Sequence, residues 1–447
     1  MSKYLLNIEN LSIDFVDPAI CKNLLKNVSI RIKEGEILGL VGESGSGKSL
    51  TGLAICSLLD KKKFITRKGK IFFENENILE KSEQDLLNIR GNKISMIFQE
   101  PMLSLNPVQT IKTQICEVIK LHLTNDETKF QNIIKSIFAK CGLEHDDKIL
   151  NSYPHMLSGG QRQRAMIAIS VVCNPKLLIA DEPTTALDVT LQLQVLGLLK
   201  KLSKENGMSL ILISHDLDLI KNYTDNVVIM KDGGIEEANS TNSIFDNPQS
   251  SYTKQLINCR PERMIEQNSY NQELLKINNL NCRFLTQNSL FKNKRKYFRA
   301  LTDINLSLNV GETLGIVGES GSGKSTLAMS ILQLLRYQGQ IIFDGIPLEK
   351  ISKDSLRYQR KDFQIVFQDP YSSLSPRLNI LEILSEGLSV YGDYTEIQLV
   401  KLCEDLLKEV GLEPSMMYRY PHQFSGGQRQ RIAIARAISL KPKLVIM

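Results

Sequence analysis

The chain lacks tryptophan and any long apolar run, and its 447 residues hold only 8 cysteines. A membrane-crossing helix needs about 18 consecutive apolar residues. The longest run here, near Ala165 to Cys173, is far shorter, so no span is expected. The cysteines are scattered, with no CxxC and no Cys/His cluster, which excludes a disulfide frame and a zinc site and reads as reduced thiols. Neither sign of charge dominates: 55 Lys and Arg against 49 Asp and Glu leave a net +6. That balance suits an anionic ligand or a membrane surface without demanding nucleic acid, and none is expected. Met1-Ser2-Lys3 leads straight into the strand-like Tyr4 to Ile8, which leaves no room for a signal peptide and implies a cytoplasmic location.

What is present is enough apolar residue, 42%, to bury two ordinary cores. The chain is organised around Gly42-Glu43-Ser44-Gly45-Ser46-Gly47-Lys48-Ser49 and its verbatim copy Gly318-Glu319-Ser320-Gly321-Ser322-Gly323-Lys324-Ser325. Each matches GxxxxGK[ST], the phosphate-binding loop. One copy can arise as a chance glycine-rich turn; two identical copies do not. Ile37 to Val41 reads as a buried strand before the first copy, and Leu50, Leu53, Ala54 and Leu58 as a helix after it. Glycines between strand and helix let successive N–H groups turn inward on a phosphate chain, at the positive end of the helix dipole. Lys48 supplies a mobile cation, and the Ser49 hydroxyl is placed for Mg²⁺. Leu50 and, in the second copy, Thr326 continue the cradle.

In chain order, Leu6 to Phe15 alternates as a strand pair ended by Phe15, which either stacks on adenine or caps a core. Lys61-Lys62-Lys63 reads as a solvated turn. Ile71 to Phe73 and Lys93 to Phe98 are strand-like, and the latter delivers Gln99 to a proline-bounded loop, where an amide can ligate Mg²⁺ or orient water. Ile111 to Lys140 has helical spacing. Ser158-Gly159-Gly160-Gln161 then opens a helix through Val172, either as a plain cap or as a second anion receptor. Lys176 to Ala180 is a buried strand ending in Asp181 and Glu182, a metal-shell carboxylate followed by a general base. Leu210 to Ser214 reads as a final strand, with His215 at its tip for a γ-phosphate contact.

Phosphate loop, glutamine loop, LSGGQ signature, Asp-Glu strand, Ala186-Leu187-Asp188 turn and tip histidine, in that order, resemble the ATP-binding cassette of ABC transporters. FQEPMLSLNP, YPHMLSGGQRQR and IADEPTTALDVT resemble the oligopeptide, dipeptide and nickel importer branch, nearest in pattern to ATPases of microcin C and oligopeptide importers. The resemblance covers nearly the whole chain. It implies an α/β fold of two tandem P-loop domains, each a parallel-sheet core with an antiparallel β subdomain and a helical subdomain. The first is expected over residues 1–246, a linker over 247–273, and the second over 274–447. Some relatives hold an iron–sulfur centre after the first cassette; only Cys259 stands near that place, so none is expected.

In the second copy Phe284 matches Phe15, Gln368 matches Gln99, and Ser425-Gly426-Gly427-Gln428 repeats the signature. Lys443 to Met447 aligns with Lys176 to Ala180, so the second cassette stops short of its acids and is expected to be unstable alone. The resemblance implies ATP and Mg²⁺ held head to tail. Lys48, Ser49, Gln99, Asp181, Glu182 and His215 would act with Ser425 to Gln428; Lys324, Ser325 and Gln368 would act with Ser158 to Gln161 and bind without hydrolysing. Ser49, Gln99, Asp181, Ser325 and Gln368 are the expected metal positions. The function implied is an ATPase, peripheral on the inner face of the cell membrane. It would drive import of peptide-like solutes through two permease subunits served by a periplasmic solute-binding protein, and self-dimers could form through first cassettes. Two alternatives are a decayed or split-gene fragment, and a non-transport tandem protein acting on ribosomes or DNA. The latter would want a long charged helical linker, which Asn247 to Glu273 does not supply. The basic stretch Phe291 to Arg299 reads as a solvated hairpin tip or an anionic-lipid contact.

Overall fold

A computed structural model describes residues 4–17, 20–99, 104–143, 147–185, 187–258, 272–287, 296–319, 321–369 and 373–447. The chain divides into two compact units, Met1–Arg263 and Met264–Met447.

In the first unit, β1 (Tyr4–Asp17) and β2 (Ile20–Lys33) pair antiparallel over their whole lengths, so β1 is one long strand that runs past Phe15 rather than a pair of short ones. Register shifts near Ile8 to Ile13 explain why its apolar alternation slips in the sequence. With β4 (Phe64–Phe73) and β5 (Glu76–Asn77) these strands form a four-stranded sheet, β2-β1-β4-β5.

The second sheet has six strands in the order β10-β9-β3-β8-β7-β6. These are β3 (Ile37–Val41), β6 (Ile94–Ile97), β7 (Leu177–Asp181), β8 (Ser209–Ser214), β9 (Asn226–Lys231) and β10 (Gly234–Ser240). All pairs but β9–β10 are parallel. β8 is therefore not final, because two more strands close that edge. A parallel sheet is covered on both faces, which is why β3, β7 and β8 are continuous apolar runs. Alternate side chains enter different cores. Ile37, Val41, Leu178 and Leu210 pack with helical residues such as Ile115 and Phe138. Leu38, Leu40, Ile179 and Ile211 pack with Ile8, Ile71 and Phe73 of the antiparallel sheet. The helical segment is Ile111–His122 and Glu127–Lys140, with Ile111, Ile115 and Ile119 buried at one-turn spacing.

The second unit repeats the antiparallel sheet with β11 (Glu273–Gln287), β12 (Lys296–Asn309), β13 (Gln338–Phe343) and β14 (Ile346–Pro347). Its parallel part among the described residues is one pair, β15 (Phe363–Ile365) with β16 (Leu444–Ile446). The strand expected before the second phosphate loop is not formed: residues 312–319 carry no ladder, and Val317 is 93% exposed. In the first unit the equivalent strand is bonded on both edges, by β8 and β9. No such neighbours exist for residues 312–319 among the described residues.

Part of the expected linker is structured: Ser251–Asn258 form a helix within the first unit. Residues 259–271, including Cys259, lie outside the described residues, as do 291–295 of the basic stretch.

Candidate functional site

Four strand ends converge at one edge of the first unit's parallel sheet. β3 ends in the phosphate loop, β6 in Gln99, β7 in Asp181 and Glu182, and β8 in His215. The loop after β3 depends on glycine at two positions. Gly42 has φ 155° and its absent Cβ would stand 2.2 Å from the Met230 carbonyl oxygen; Gly47 has φ 100° and lies against Leu25. Any side chain at Gly42 would collide with backbone. The helix Lys48–Ile55 starts directly behind, and its first N–H groups have no side-chain cap. Its positive end therefore faces the loop. Leu58 lies beyond that helix and is exposed.

Lys48 is only 6% exposed. Its ammonium donates to the carbonyl oxygens of Gly42 (2.7 Å) and Glu43 (2.8 Å). Burial pushes its pKa down, against the charges of Glu182, Asp181 and Glu43, which pull it up. A buried ammonium satisfied by loop carbonyls is poised to exchange them for an anion. Ser46 Oγ is buried and has no hydrogen-bond partner among the described residues. Ser44 and Gly45 are exposed at the tip.

The Ser49 hydroxyl donates to Asp181 Oδ1 at 3.0 Å. Burial raises the Asp181 carboxyl, with the Ser49 hydrogen bond opposing it. Two hard oxygen donors of this kind fit a magnesium ion. Among the described residues no group of three or more His, Cys, Asp or Glu side chains could form a metal cage by itself, and a shared metal–phosphate site does not need one.

Glu182 follows at φ 45°, a left-handed conformation that a non-glycine residue adopts at a cost of about 1–2 kcal/mol. The bend carries the carboxylate off the strand and onto three neighbours. Gln99 Nε2 donates to Oε2 (2.7 Å), Thr185 Oγ1 donates to the same oxygen (3.0 Å), and His215 Nδ1 lies 3.1 Å from Oε1. Burial alone would raise this carboxyl, but His215, Thr185 and Lys48 together hold it below the usual carboxylate range. Reciprocally, the Glu182 hydrogen bond raises His215, against partial burial. The structure thus gathers Lys48, Ser49, Gln99, Asp181, Glu182 and His215. It adds Thr185, which the sequence does not single out because the bend at Glu182 that brings the hydroxyl to the carboxylate is not visible in it.

Phe15 is half-buried and meets Phe64 edge to face at 5.4 Å. Leu50 lies in the helix behind the loop and packs on the antiparallel-sheet core. Ser158 caps the helix Gly159–Val171: its Oγ accepts the Gln161 N–H (3.3 Å), and Gln161 Oε1 accepts the Ser158 N–H (3.1 Å). Ser158 and Gln161 thus form a capping box.

In the second unit the loop keeps its local geometry. Lys324 donates to the carbonyls of Gly318 (2.6 Å) and Glu319 (2.7 Å), and Gly321 and Gly323 hold positive φ. Ser325 and Thr326 begin the helix Lys324–Ile331, with Ser322 exposed before it, while Ser320 lies outside the described residues. Gln368 is exposed past β15, and Phe284 is 39% exposed opposite Phe298. Ser425 and Gln428 form the same capping box as Ser158 and Gln161, ahead of Gly426 and Gly427 in the first turn of Gly426–Ile438.

A phosphate loop joined to a strand-end carboxylate pair defines a P-loop nucleotide-hydrolysing fold. The family model described as ABC transporter matches residues 25–185 and 301–447, and the chain belongs to this family as one of its ATP-binding proteins, carrying two cassettes. It is 44% identical over 449 residues to an uncharacterized ABC transporter ATP-binding protein, YejF, of Escherichia coli strain K12, covering 100% of this chain and 85% of that one. It is 41% identical to the peptidoglycan transport ATP-binding protein YejF of Agrobacterium fabrum, covering 99% and 82%. It is 40% identical to the glutathione import ATP-binding protein GsiA of Salmonella choleraesuis, covering 100% and 77%.

Proposed function

We propose that this ABC-type ATPase powers import of a peptide-like solute through separate permease subunits, supplied by a periplasmic solute-binding protein and docked on the inner face of the cell membrane. Two features support an external channel and an amide-bearing solute. Among the described residues no helix is long and apolar enough to cross a membrane. The relatives at 41% and 40% identity are named for peptidoglycan transport and glutathione import.

The observation that carries the ATPase reading is the meeting of Glu182 with the first phosphate loop and with Gln99 and His215. Lys48 and the loop N–H groups would bind the outer phosphates. Ser49 and Asp181 would hold Mg²⁺, which when bound neutralises phosphate charge. Ionised Glu182 would take the proton of the attacking water, with His215 donating to it from one side and Gln99 and Thr185 from the other. Phe15 and Phe284 would stack on adenine. Ser158–Gln161 and Ser425–Gln428 would each complete a nucleotide site on a second cassette, and closing such a pair would exclude water. Gln368 and Ser325 would serve the second loop as Gln99 and Ser49 serve the first.

The test is Glu182→Gln, which keeps shape and hydrogen bonding but removes the base. ATP binding should persist while phosphate release falls at least about 100-fold. Residual hydrolysis near the parent rate would overturn the assignment of Glu182.

A further inference from the structure

The helix Ser251–Asn258 has no role in the site just described, yet it is held in place with care. The Glu237 carboxylate of β10 accepts the backbone N–H groups of Gln249 (3.0 Å) and Ser250 (3.0 Å) at the helix start. Ser250 Oγ accepts the Tyr252 N–H at 3.2 Å, and Thr253 is wholly buried. This anchoring turns Tyr252 inward until it is 6% exposed, with its hydroxyl against Glu43.

Its neighbours belong to the rear of the phosphate loop. Lys231 Nζ stands 4.5 Å from the Tyr252 ring centroid, a cation–π contact. Lys231 ends β9 and opens a turn whose Gly233 N–H donates to the Ser46 carbonyl at 3.2 Å. One residue earlier, the Met230 carbonyl fills the space that a Gly42 Cβ would need. Burial raises the Tyr252 pKa, a hydrogen bond with the Glu43 backbone opposes it, and the Glu43 and Asp232 carboxylates add to the rise, so the hydroxyl stays a protonated donor. Glu43 in turn offers its carbonyl to Lys48.

We propose that Tyr252 is a positioning residue of the first phosphate loop, bracing its rear wall through Glu43 and the Lys231–Gly233 turn. When Lys48 leaves the Gly42 and Glu43 carbonyls for a phosphate, the loop needs a fixed back, and the buried phenol against Glu43 supplies it on that side. This inference rests on the ATPase reading above.

The experiment uses the whole 447-residue chain. Tyr252→Phe keeps the ring beneath Lys231 and removes only the hydroxyl; Tyr252→Ala removes both. KM for ATP should rise about 5-fold for the first and more for the second, with kcat within about twofold of the parent. A double cycle of Tyr252→Phe with Glu43→Gln should be non-additive in KM. Amide exchange at residues 42–47 of the nucleotide-free protein should quicken in Tyr252→Phe, a readout that needs no turnover. If the helix only packs, both variants will lose melting temperature and folded fraction while KM and loop exchange stay at parent values, and the proposal is overturned. A parent chain that binds no ATP would overturn the ATPase reading instead.

Discussion

Glu182 is where the residue-level physics concentrates, because one carboxylate satisfies Gln99, Thr185 and His215 at once from a strained backbone. Hydrogen bonds to a charged group contribute about 1.5–3 kcal/mol, so Thr185→Val should lower kcat about 10-fold or more while KM for ATP stays put. Steady-state kinetics decides it, and a KM effect without a kcat effect would count against the positioning role. Acid and base limbs follow from the same contacts. His215 is raised above 6.5 by Glu182, so its stabilising charge is complete below 6.5 and is lost as pH rises through the higher folded value. Glu182 is held below 4.5 despite its burial, so its contribution is present above 4.5 and is lost as pH falls through the lower folded value. Replacing His215 with Gln removes a positive charge beside Glu182, and the acid limb of the kcat–pH profile should move to higher pH. An unmoved limb would show that His215 does not tune the base. The sequence named both residues because each stands at the end of a buried apolar run. It missed Thr185 because a hydroxyl in a proline-bounded turn takes its role only from the bend at Glu182.

Elements read well wherever periodicity is imposed by burial on both sides. β3, β7 and β8 are each wholly buried, and each was legible as an unbroken apolar run. β9 and β10 went unread because they follow the last motif. The second is a half-exposed edge strand whose pattern carries little hydrophobic signal. β1 read as two short strands because its bulges reset the alternation. The signature helices show how one element can carry two meanings. Ser158 and Gln161 form a capping box whatever else they touch, so Ser158→Ala should cost about 1 kcal/mol and lower the first unit's Tm by about 2–4 °C. Differential scanning calorimetry measures this directly, and an unchanged Tm would mean that the cap contributes nothing in solution.

At the scale of the whole molecule, the chain contains an internal control: the same eight-residue loop twice, once behind a bonded strand and once behind an unbonded one. The preceding segments are almost equivalent, Ile37-Leu38-Gly39-Leu40-Val41 and Thr313-Leu314-Gly315-Ile316-Val317, so local propensity cannot separate them. What separates them is pairing. Leu38, Gly39, Leu40 and Val41 are bonded to β8 and β9 together, whereas 312–319 carry no ladder, and Leu314, Ile316 and Val317 stay exposed. Strand structure in a parallel sheet is thus a property of the neighbours rather than of the segment. Backbone groups that lack a ladder exchange with solvent through local opening near zero free energy, while those of a central strand wait for global unfolding. Hydrogen exchange on the 447-residue chain should therefore find 37–41 protected to nearly the full stability of the first unit, and 314–317 exchanging close to the unprotected rate. Lys48 and Lys324 sit on matching carbonyls, so the contrast arises from the strands and not from the loops. Equal protection of the two segments would mean that the second finds strand partners of its own, and the physical distinction between the two phosphate loops would then disappear.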